Sequence, residues 1–219
     1  MIPPLSISTI KLFEQCPWRF YREKIKKDVK DVKDDIHPTT LWGQRAHKAL
    51  ELYLRDGTPL PNEMSQLQGY ADRLKKAKGR MAVEMKLAMT EDGEFAKFLD
   101  NDAAFYRGVV DLLKVNGDKA LVIDHKFGKV RVTDQLYMCA LLVFVNYPRV
   151  KHIKAVFVWP TIPHQVVKEI SPDIARAVDE QKFRPVREQI IRAMDDDKWP
   201  KRPSGLCGYC PVKDCEFNR

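Results

Sequence analysis

The 219-residue sequence has the composition of a folded protein that buries a hydrophobic core. Its residues are 44% hydrophobic and 31% charged, and 38 Lys and Arg against 30 Asp and Glu give a net charge of +8. This composition excludes a disordered tail protein. No stretch reaches the roughly 18 apolar residues of a membrane span, and the N-terminus lacks a secretory pattern. We therefore expect an intracellular protein, and its positive charge favours a polyanionic partner.

The first part of the chain is predicted to form helices around one charged loop. Residues 6–27 place apolar side chains at helical spacing, with Ser8 or Thr9 as the N-cap. Pro17 is expected to break or kink this helix. The mixed-charge stretch 26–38 predicts a solvated loop. Two further helices are predicted over residues 39–54 and roughly 62–78.

The period then changes from helical to two, which predicts strands. Three strands are expected over residues 80–90, 103–115 and 119–127, with Asn116-Gly117-Asp118 as a hairpin turn. A buried helix, two strands and a helix interrupted near Pro185 follow, over residues 134–145, 152–160, 164–170 and 171–196. This order predicts an α/β fold, with a mixed central sheet flanked by helices.

Two carboxylates and a lysine fall on one face of the predicted hairpin. With Asn116-Gly117 at the turn, Asp111 would lie diagonal to Asp124; with Gly117-Asp118 at the turn, the two would face each other directly. Both registers place the carboxylates on the same face. Lys126 joins them, because side chains two residues apart on a strand point the same way.

Paired carboxylates in apolar surroundings point to a bound cation. Like charges this close repel unless they are neutralised, and carboxylate oxygens suit Mg²⁺ or Mn²⁺. A lysine beside a metal-bound water and a phosphate could stabilise the charge that develops on phosphoryl oxygens. The pattern therefore favours phosphodiester hydrolysis. By itself, an Asp-x-Lys pair on a strand is more typical of an exposed face.

The five cysteines are Cys16, Cys139 and a C-terminal group of three, Cys207, Cys210 and Cys215. Their odd number and the lack of export features argue against disulfides. Three cysteines within nine residues indicate metal ligation. Zinc and an iron-sulfur cluster both fit these ligands, and spacing alone does not separate them. Cys139, in an apolar helix, is most simply a core residue.

An ordered series of motifs resembles the PD-(D/E)XK nucleases of the RecB type. Each motif alone is weak, but together they follow the family's order over residues 6 to 215. The matching segments are Ser6-Ile7-Ser8 with Phe13-Glu14-Gln15-Cys16-Pro17 and Phe20-Tyr21, Gly43-Gln44-Arg45-Ala46-His47, Gly108-Val109-Val110-Asp111, Asp124-His125-Lys126, Gln135 and the cysteine-containing tail.

The resemblance implies a restriction-endonuclease-like core and a role for each matched residue. A divalent cation, Mg²⁺ or Mn²⁺, would be held by Asp111, Asp124, His47 and the carbonyl of His125. Lys126 would be the catalytic lysine, and Gln135 would position the DNA or the site. Without the family context, a helix-surface or core histidine is the simpler interpretation of His47.

For the cysteines, the resemblance implies the subset of this family that carries a [4Fe-4S] cluster, similar to CRISPR-adaptation nucleases. Cys16, Cys207, Cys210 and Cys215 would join the N-terminal helix to the C-terminal tail through the cluster, with zinc as the alternative. Two positions depart from the family pattern. Asp124 replaces the usual glutamate, and Cys139 replaces an expected aromatic residue, which leaves the role of that helix in DNA contact open.

Two further features have both a purely structural and a functional interpretation. Glu84 is either close to the metal site or an exposed strand residue. The basic run Arg73, Lys75, Lys76, Lys78 and Arg80 is either a solvated helix end or a DNA contact.

The expected protein is a metal-dependent DNA exonuclease acting on single-stranded ends, as one nuclease domain over residues 1–219. Within it we expect an N-terminal helical part, a catalytic α/β core, and a C-terminal helix and cysteine tail, over residues 1–60, 80–170 and 171–219.

A helicase motor does not fit in this length, so unwinding would come from a partner in recombination, repair, phage metabolism or CRISPR adaptation. The expected location is the cytoplasm of a bacterial, archaeal or phage-infected cell. The alternatives are a non-catalytic, cluster-stabilised DNA-binding adaptor and an endonuclease of the same fold. The oligomeric state stays open.

Overall fold

The computed structural model describes residues 2–29 and 38–218, and a six-stranded mixed sheet lies at its centre. The strand order is β2-β1-β3-β4-β5-β6; β4 and β5 are parallel, and every other neighbouring pair is antiparallel. The strands are β1 Arg80–Met89, β2 Phe95–Ala96, β3 Tyr106–Asn116, β4 Lys119–His125, β5 His152–Trp159 and β6 His164–Ile170. The predicted α/β fold with a mixed sheet is confirmed.

Seven α-helices are described in these two segments. They are α1 Ile7–Gln15, α2 Pro17–Phe20, α3 Pro38–Asp56, α4 Gln68–Lys76, α5 Gln135–Asn146, α6 Pro172–Val178 and α7 Arg184–Asp195. Wider π-type turns extend α2 over Tyr21–Ile25 and join α6 to α7 over Asp179–Phe183, and a 3₁₀ turn over Asn62–Leu67 precedes α4. None of the described helices is both long and apolar enough to cross a membrane.

The helices cover both faces of the sheet. On one face, α3 and α4 pack over Leu112 and Ile123. On the other, α5 forms the crossover between the parallel strands β4 and β5, and its buried side chains join a core with α1, α6 and α7. Gly108 in β3 permits close packing there, because a Cβ atom at this position would lie 2.9 Å from Leu142 Cδ1.

Several predicted boundaries change for local physical reasons. The N-cap of α1 is Ser6, and the prediction of Ser8 or Thr9 is wrong: the Ser6 hydroxyl accepts from Thr9 N, and the Thr9 hydroxyl accepts from Ser6 N. The predicted break at Pro17 is confirmed, since Cys16 is extended between α1 and α2. Of the predicted charged loop 26–38, residues 30–37 lie outside the described residues.

Candidate metal centre and active site

The turn between β3 and β4 fixes how the two predicted carboxylates face each other. Asn116 pairs with Lys119 and Leu112 pairs with Ile123, so Gly117 and Asp118 form the turn. Gly117 has a φ of +64°, a left-handed conformation that glycine adopts without strain. Continuing this register by one pair places Asp111 opposite Asp124, which is the direct-facing alternative of the two registers.

Asp111 accepts hydrogen bonds from two directions. One carboxylate oxygen, Oδ2, lies 2.8 Å from the His125 backbone N and 2.8 Å from His47 Nε2. His47 comes from α3, on the face of the sheet that this helix covers. Burial opposes ionisation of Asp111, but the hydrogen bond and charge of His47 outweigh it and lower the pKa of the carboxyl. Asp111 is therefore the more acidic of the two carboxylates.

Asp124 is held by two polar groups at the start of α5 and the end of β4. Its Oδ2 lies 2.6 Å from Lys126 Nζ, and its Oδ1 accepts from the Gln135 amide. Lys126 Nζ also donates to Gln135 Oε1 at 3.0 Å and lies 5.1 Å from the centre of the Phe157 ring. Burial and the charge of Asp111 raise the pKa of Asp124 to about 6, although Lys126 opposes the shift.

The ring of His125 lies beside Asp111, a contact that the sequence did not indicate. Its Nε2 is 3.0 Å from the Tyr70 hydroxyl of α4, and its Nδ1 is 3.8 Å from Asp111 Oδ2. Burial lowers the pKa of this histidine to about 4. The ring is therefore neutral near pH 7, with Tyr70 fixing its orientation.

His47, Asp111 and His125 together form a candidate cation site. One ligand atom from each lies within 4.8 Å of the others, and no second such group occurs in the described part of the chain. Neutral imidazole and carboxylate donors suit a divalent metal such as Mn²⁺ or Mg²⁺. Asp124 is not in this group, and its carboxylate contacts Lys126 and Gln135. Continuing the β3–β4 register by one pair from Leu112 and Ile123 nevertheless places Asp124 opposite Asp111.

Glu84 is the residue whose place the sequence left undecided, and it lies at the site. Its Oε1 is 3.5 Å from His47 Nδ1, on the opposite side of the ring from Asp111. Its φ of +51° is unusual for a non-glycine residue, and the pairing of β1 with β3 skips Glu84 and Asp111. Burial and the charge of Asp111 raise the pKa of Glu84. In the sequence, the only indication that Glu84 belongs to the site was that it is an acidic residue within a mostly apolar strand.

The predicted cysteine ligands lie around one cavity. Cys16, Cys207, Cys210 and Cys215 all line it, where the N-terminal helices meet the C-terminal tail. Among the described residues, no three cysteine sulfurs lie within 4.8 Å of one another. The fifth cysteine, Cys139, is buried in α5, as the sequence predicted.

The basic run extends from the end of α4 to the start of β1. Arg73, Lys75 and Lys76 are at the end of α4, and Lys78 follows the helix. Arg80 pairs with Val115, which is four residues, or about 13 Å, along β3 from Asp111.

The sequence also matches a known family. The family model described as the PD-(D/E)XK nuclease superfamily matches residues 4–215, nearly the whole chain. The chain belongs to the PD-(D/E)XK nuclease superfamily. Its six-stranded mixed sheet with helices on both faces has the restriction-endonuclease-like architecture of that superfamily. Nucleases of this superfamily use divalent metals, and the family implies DNA as the substrate.

One solved structure shares the fold of this PD-(D/E)XK nuclease at low sequence identity, and a second is reported beside it. The crystal structure of SSO0001 has 14% identity and a TM-score of 0.50, and the match covers 100% of this chain and 89% of that one. A candidate exonuclease from Eubacterium rectale has 12% identity and a TM-score of 0.48, over 99% of this chain and 87% of that one. No curated protein matches this sequence significantly.

A stability measurement can test the electrostatic description of Asp124 without metal. Its pKa of about 6 in the folded protein exceeds the value of about 3.9 in an unfolded chain. The wild type should therefore lose stability as the pH rises from about 4 through about 6, because the buried carboxyl must ionise. Asp124→Asn cannot ionise there, so with EDTA present it should be more stable than wild type at pH 8, and this advantage should shrink towards pH 4.

Urea unfolding of both proteins across this pH range measures the difference. Asp134→Asn is a matched control, because this half-exposed carboxylate lies at the start of α5, next to Gln135, and pairs with Lys182. An advantage of Asp124→Asn that is independent of pH would contradict the raised pKa.

Proposed function

We propose that this PD-(D/E)XK nuclease is an exonuclease that hydrolyses phosphodiester bonds at the ends of single-stranded DNA. The observation that carries the proposal is the convergence of two opposed carboxylates, a histidine and a lysine, where the middle of β3 lies beside the end of β4. Asp111 and Asp124 face each other, His47 bonds Asp111, and Lys126 bonds Asp124.

The catalytic cation would be held by His47, Asp111, Asp124 and the carbonyl of His125. The backbone N–H of His125 points to Asp111, and the N–H and C=O of one strand residue lie on the same side of the strand, which favours the carbonyl as a ligand. A divalent metal at this place supplies an activated water and polarises the phosphoryl oxygen. Tyr70 holds the His125 ring in place.

Lys126 would stabilise the negative charge that develops on the phosphate. Its ammonium is fixed by Asp124, by Gln135 and by the face of Phe157, so little reorganisation is needed when the charge forms. Gln135 is a positioning residue, because it donates to Asp124 and accepts from Lys126 at the same time. It therefore sets the distance between the ligand and the lysine.

Glu84 would orient His47 for the cation. A histidine that ligates a metal usually donates its second ring N–H to a carboxylate, and Glu84 lies on the Nδ1 side while Asp111 lies on the Nε2 side. The left-handed backbone of Glu84 costs about 1–3 kcal/mol in general, and such strain tends to persist at functional sites.

The four cysteines that line one cavity would ligate a [4Fe-4S] cluster, with zinc as the alternative. A tetrahedral zinc site with Zn–S bonds of about 2.3 Å brings its sulfurs within about 3.8 Å of one another. Among the described residues, no three cysteine sulfurs come this close, since no three of them lie together within 4.8 Å. A cluster that gives each cysteine its own iron accommodates this wider spacing. Its role would be structural, because it joins the N-terminal helices to the tail.

The proposed single-stranded substrate implies a biological setting in which another protein supplies single strands. An enzyme that degrades single strands needs another protein to unwind duplex DNA, so a helicase or a recombination or CRISPR-adaptation partner is part of the proposal. The place of action would be the cytoplasm of a bacterial, archaeal or phage-infected cell.

Cleavage of end-labelled DNA tests the proposed activity. With Mn²⁺ or Mg²⁺, the wild type should shorten linear single strands from an end and leave circular single strands intact. Lys126→Met should remain folded and lose activity by about 10²- to 10³-fold, the usual effect of removing one transition-state charge. Comparing 5′- and 3′-labelled strands on gels gives the direction.

Lys154→Met is the matched control, since Lys154 is an exposed residue of β5 and does not line the site. Wild-type activity in Lys126→Met would contradict the assigned site. Cutting of circles would favour an endonuclease. Persistence of every substrate would favour the non-catalytic adaptor.

Metal analysis tests the cysteine assignment. The purified protein should contain iron and sulfide and absorb broadly in the visible range, and Cys207→Ser should lose both. Cys139→Ala should keep them, because Cys139 is buried in α5 and does not line the cysteine cavity. One zinc per chain with no visible absorbance would reject the cluster in favour of zinc.

The role of Glu84 predicts opposite effects on stability and metal affinity. Glu84→Gly removes both the carboxylate and the strain, so it should be at least as stable as wild type in urea, yet bind Mn²⁺ about 10- to 100-fold more weakly. Glu84→Gln should also bind Mn²⁺ more weakly. Asp197→Gly is the control, because Asp197 has a φ of +47° in the turn that follows α7. Unchanged Mn²⁺ affinity in both Glu84 variants would reject this role.

A further inference from the structure

Two cavities meet at the hydrogen-bonded pair Lys126 and Gln135. Lys126 lines one of them, together with His47 and His125. Gln135 lines the other, which we call the Gln135-side cavity. A strand whose scissile phosphate lies at Lys126 therefore has a cavity on either side to receive its neighbouring nucleotides.

Cationic and hydroxyl groups line the Gln135-side cavity. Ser6, Ser8 and Lys11 come from the start of α1, and Arg107 comes from β3. Its volume of about 460 Å³ falls in the range of about 300–1,000 Å³ that is usual for small-ligand sites. The cavity is thus large enough for part of a nucleotide strand and too small for a duplex.

Lys11 connects this cavity electrostatically to the proposed catalytic residues. Burial and the ammonium of Lys126 lower the pKa of Lys11, while the carboxylates of Asp134, Glu14 and Asp124 oppose the shift. Lys11 is therefore within electrostatic reach of both Lys126 and Asp124. Asp134 itself is paired with Lys182 at 2.9 Å.

Two more cations surround the ring of Phe98 at the edge of the same cavity. Arg107 Cζ is 5.6 Å from the ring centre, and Lys86 Nζ of β1 is 5.8 Å from it. Arg107 also donates to the neutral side chain of Asn101 at 3.0 Å. Phe98 therefore holds two positive charges near Lys11 through cation–π contacts.

These three cations share one property: within residues 2–29 and 38–218, no carboxylate lies at ion-pair distance from any of them. Some other cations among the described residues are paired, such as Arg22 with Asp214 at 2.8 Å and Arg184 with Asp179 at 2.9 Å. The ammonium groups of Lys11 and Lys86 and the guanidinium of Arg107 are therefore not held by any carboxylate in these two segments and can donate to an anion. Phosphate oxygens accept well from both Lys and Arg.

We propose that Lys11, Lys86 and Arg107 form a binding subsite for the backbone phosphates of a single DNA strand, next to the bond that is cleaved. The subsite rests on the proposed nuclease function, since Gln135 is shared between the cavity and the catalytic residues. The hydroxyls of Ser6 and Ser8 supply further donors to the same phosphates. A duplex could reach these cations only with its outer phosphates, because the cavity does not admit it.

DNA binding without cleavage tests the subsite. Fluorescence anisotropy with Ca²⁺ in place of Mn²⁺ compares the wild type with a triple variant, Lys11→Met, Lys86→Met and Arg107→Met. This variant should bind a labelled single strand at least tenfold more weakly, and the slope of log affinity against log salt should fall by about 2, because each lost contact with a single strand removes about 0.7. Affinity for a duplex of equal length should fall less.

A second triple variant is the matched control, with the same loss of three charges. Lys119→Met, Lys151→Met and Lys154→Met remove three exposed charges at or near the starts of β4 and β5, the opposite end of these strands from Asp124. This control should keep the affinity and salt slope of the wild type. The subsite is rejected if the control loses binding while the subsite variant keeps it, or if both change equally. Thermal melts and the single variants Lys86→Met and Arg107→Met establish that a loss does not come from unfolding.

The outcomes separate the subsite from the nuclease function. If the wild type cleaves DNA and the subsite variant binds normally, the subsite is wrong and the function stands. If the wild type cleaves nothing, but only the subsite variant loses single-strand binding, the subsite stands and the function is wrong. If the wild type cleaves DNA, the single variants should raise the KM for single strands and change kcat by less than about twofold. This is the expected result when a lost contact binds the substrate and the transition state equally.

Discussion

Asp111 and Asp124 face each other across two neighbouring strands, largely out of water, and their ionised forms repel each other. The protein separates their proton affinities: His47 and the His125 backbone lower the pKa of Asp111, and burial beside that charge raises the pKa of Asp124 to about 6. The pair is therefore unfavourable on its own. A divalent cation would relieve the repulsion, and this constraint accounts for most other contacts of the site.

Helices on the two faces of the sheet each bring one polar side chain to this pair of carboxylates. The α3 helix brings His47 from one face of the sheet, and α5 brings Gln135 from the other. Close packing of α5 against β3 depends on Gly108, whose missing side chain leaves room for Leu142. Glu84 has a strained backbone conformation and lies beside His47. Strain of this kind tends to persist where a side chain is needed at a functional site.

Much of this arrangement was predictable from the sequence, because it depends on local spacing. The period-two segments and the Asn-Gly-Asp turn predicted the β3–β4 hairpin, and either register placed Asp111 and Asp124 on one face. The sequence did not choose the register, since both dipeptides are good turn formers; the pairing of Asn116 with Lys119 selects Gly117-Asp118. The capping error at α1 has a similar origin, because several neighbouring hydroxyl residues can each cap a helix.

The remaining contacts depend on tertiary structure. Tyr70 meets the ring of His125 only because α4 packs over β4, and no spacing along the chain indicates that contact. Lys11 and Arg107 line one cavity only in the folded chain, and Lys86 lies against Phe98, which lines the same cavity. The basic run from Arg73 to Arg80 was visible in the sequence, and its role in DNA contact stays a prediction. Clustering along the chain did not indicate Lys11, Lys86 and Arg107, because they are far apart in sequence.

Anomalous X-ray diffraction from a crystal grown with Mn²⁺ tests the central claim most directly, because it locates the metal without depending on activity. We expect a manganese peak bonded to Asp111, Asp124 and His47, with His125 beside it and Lys126 outside the coordination sphere. Manganese bound elsewhere, with Asp111 and Asp124 left without a shared ion, would contradict the account.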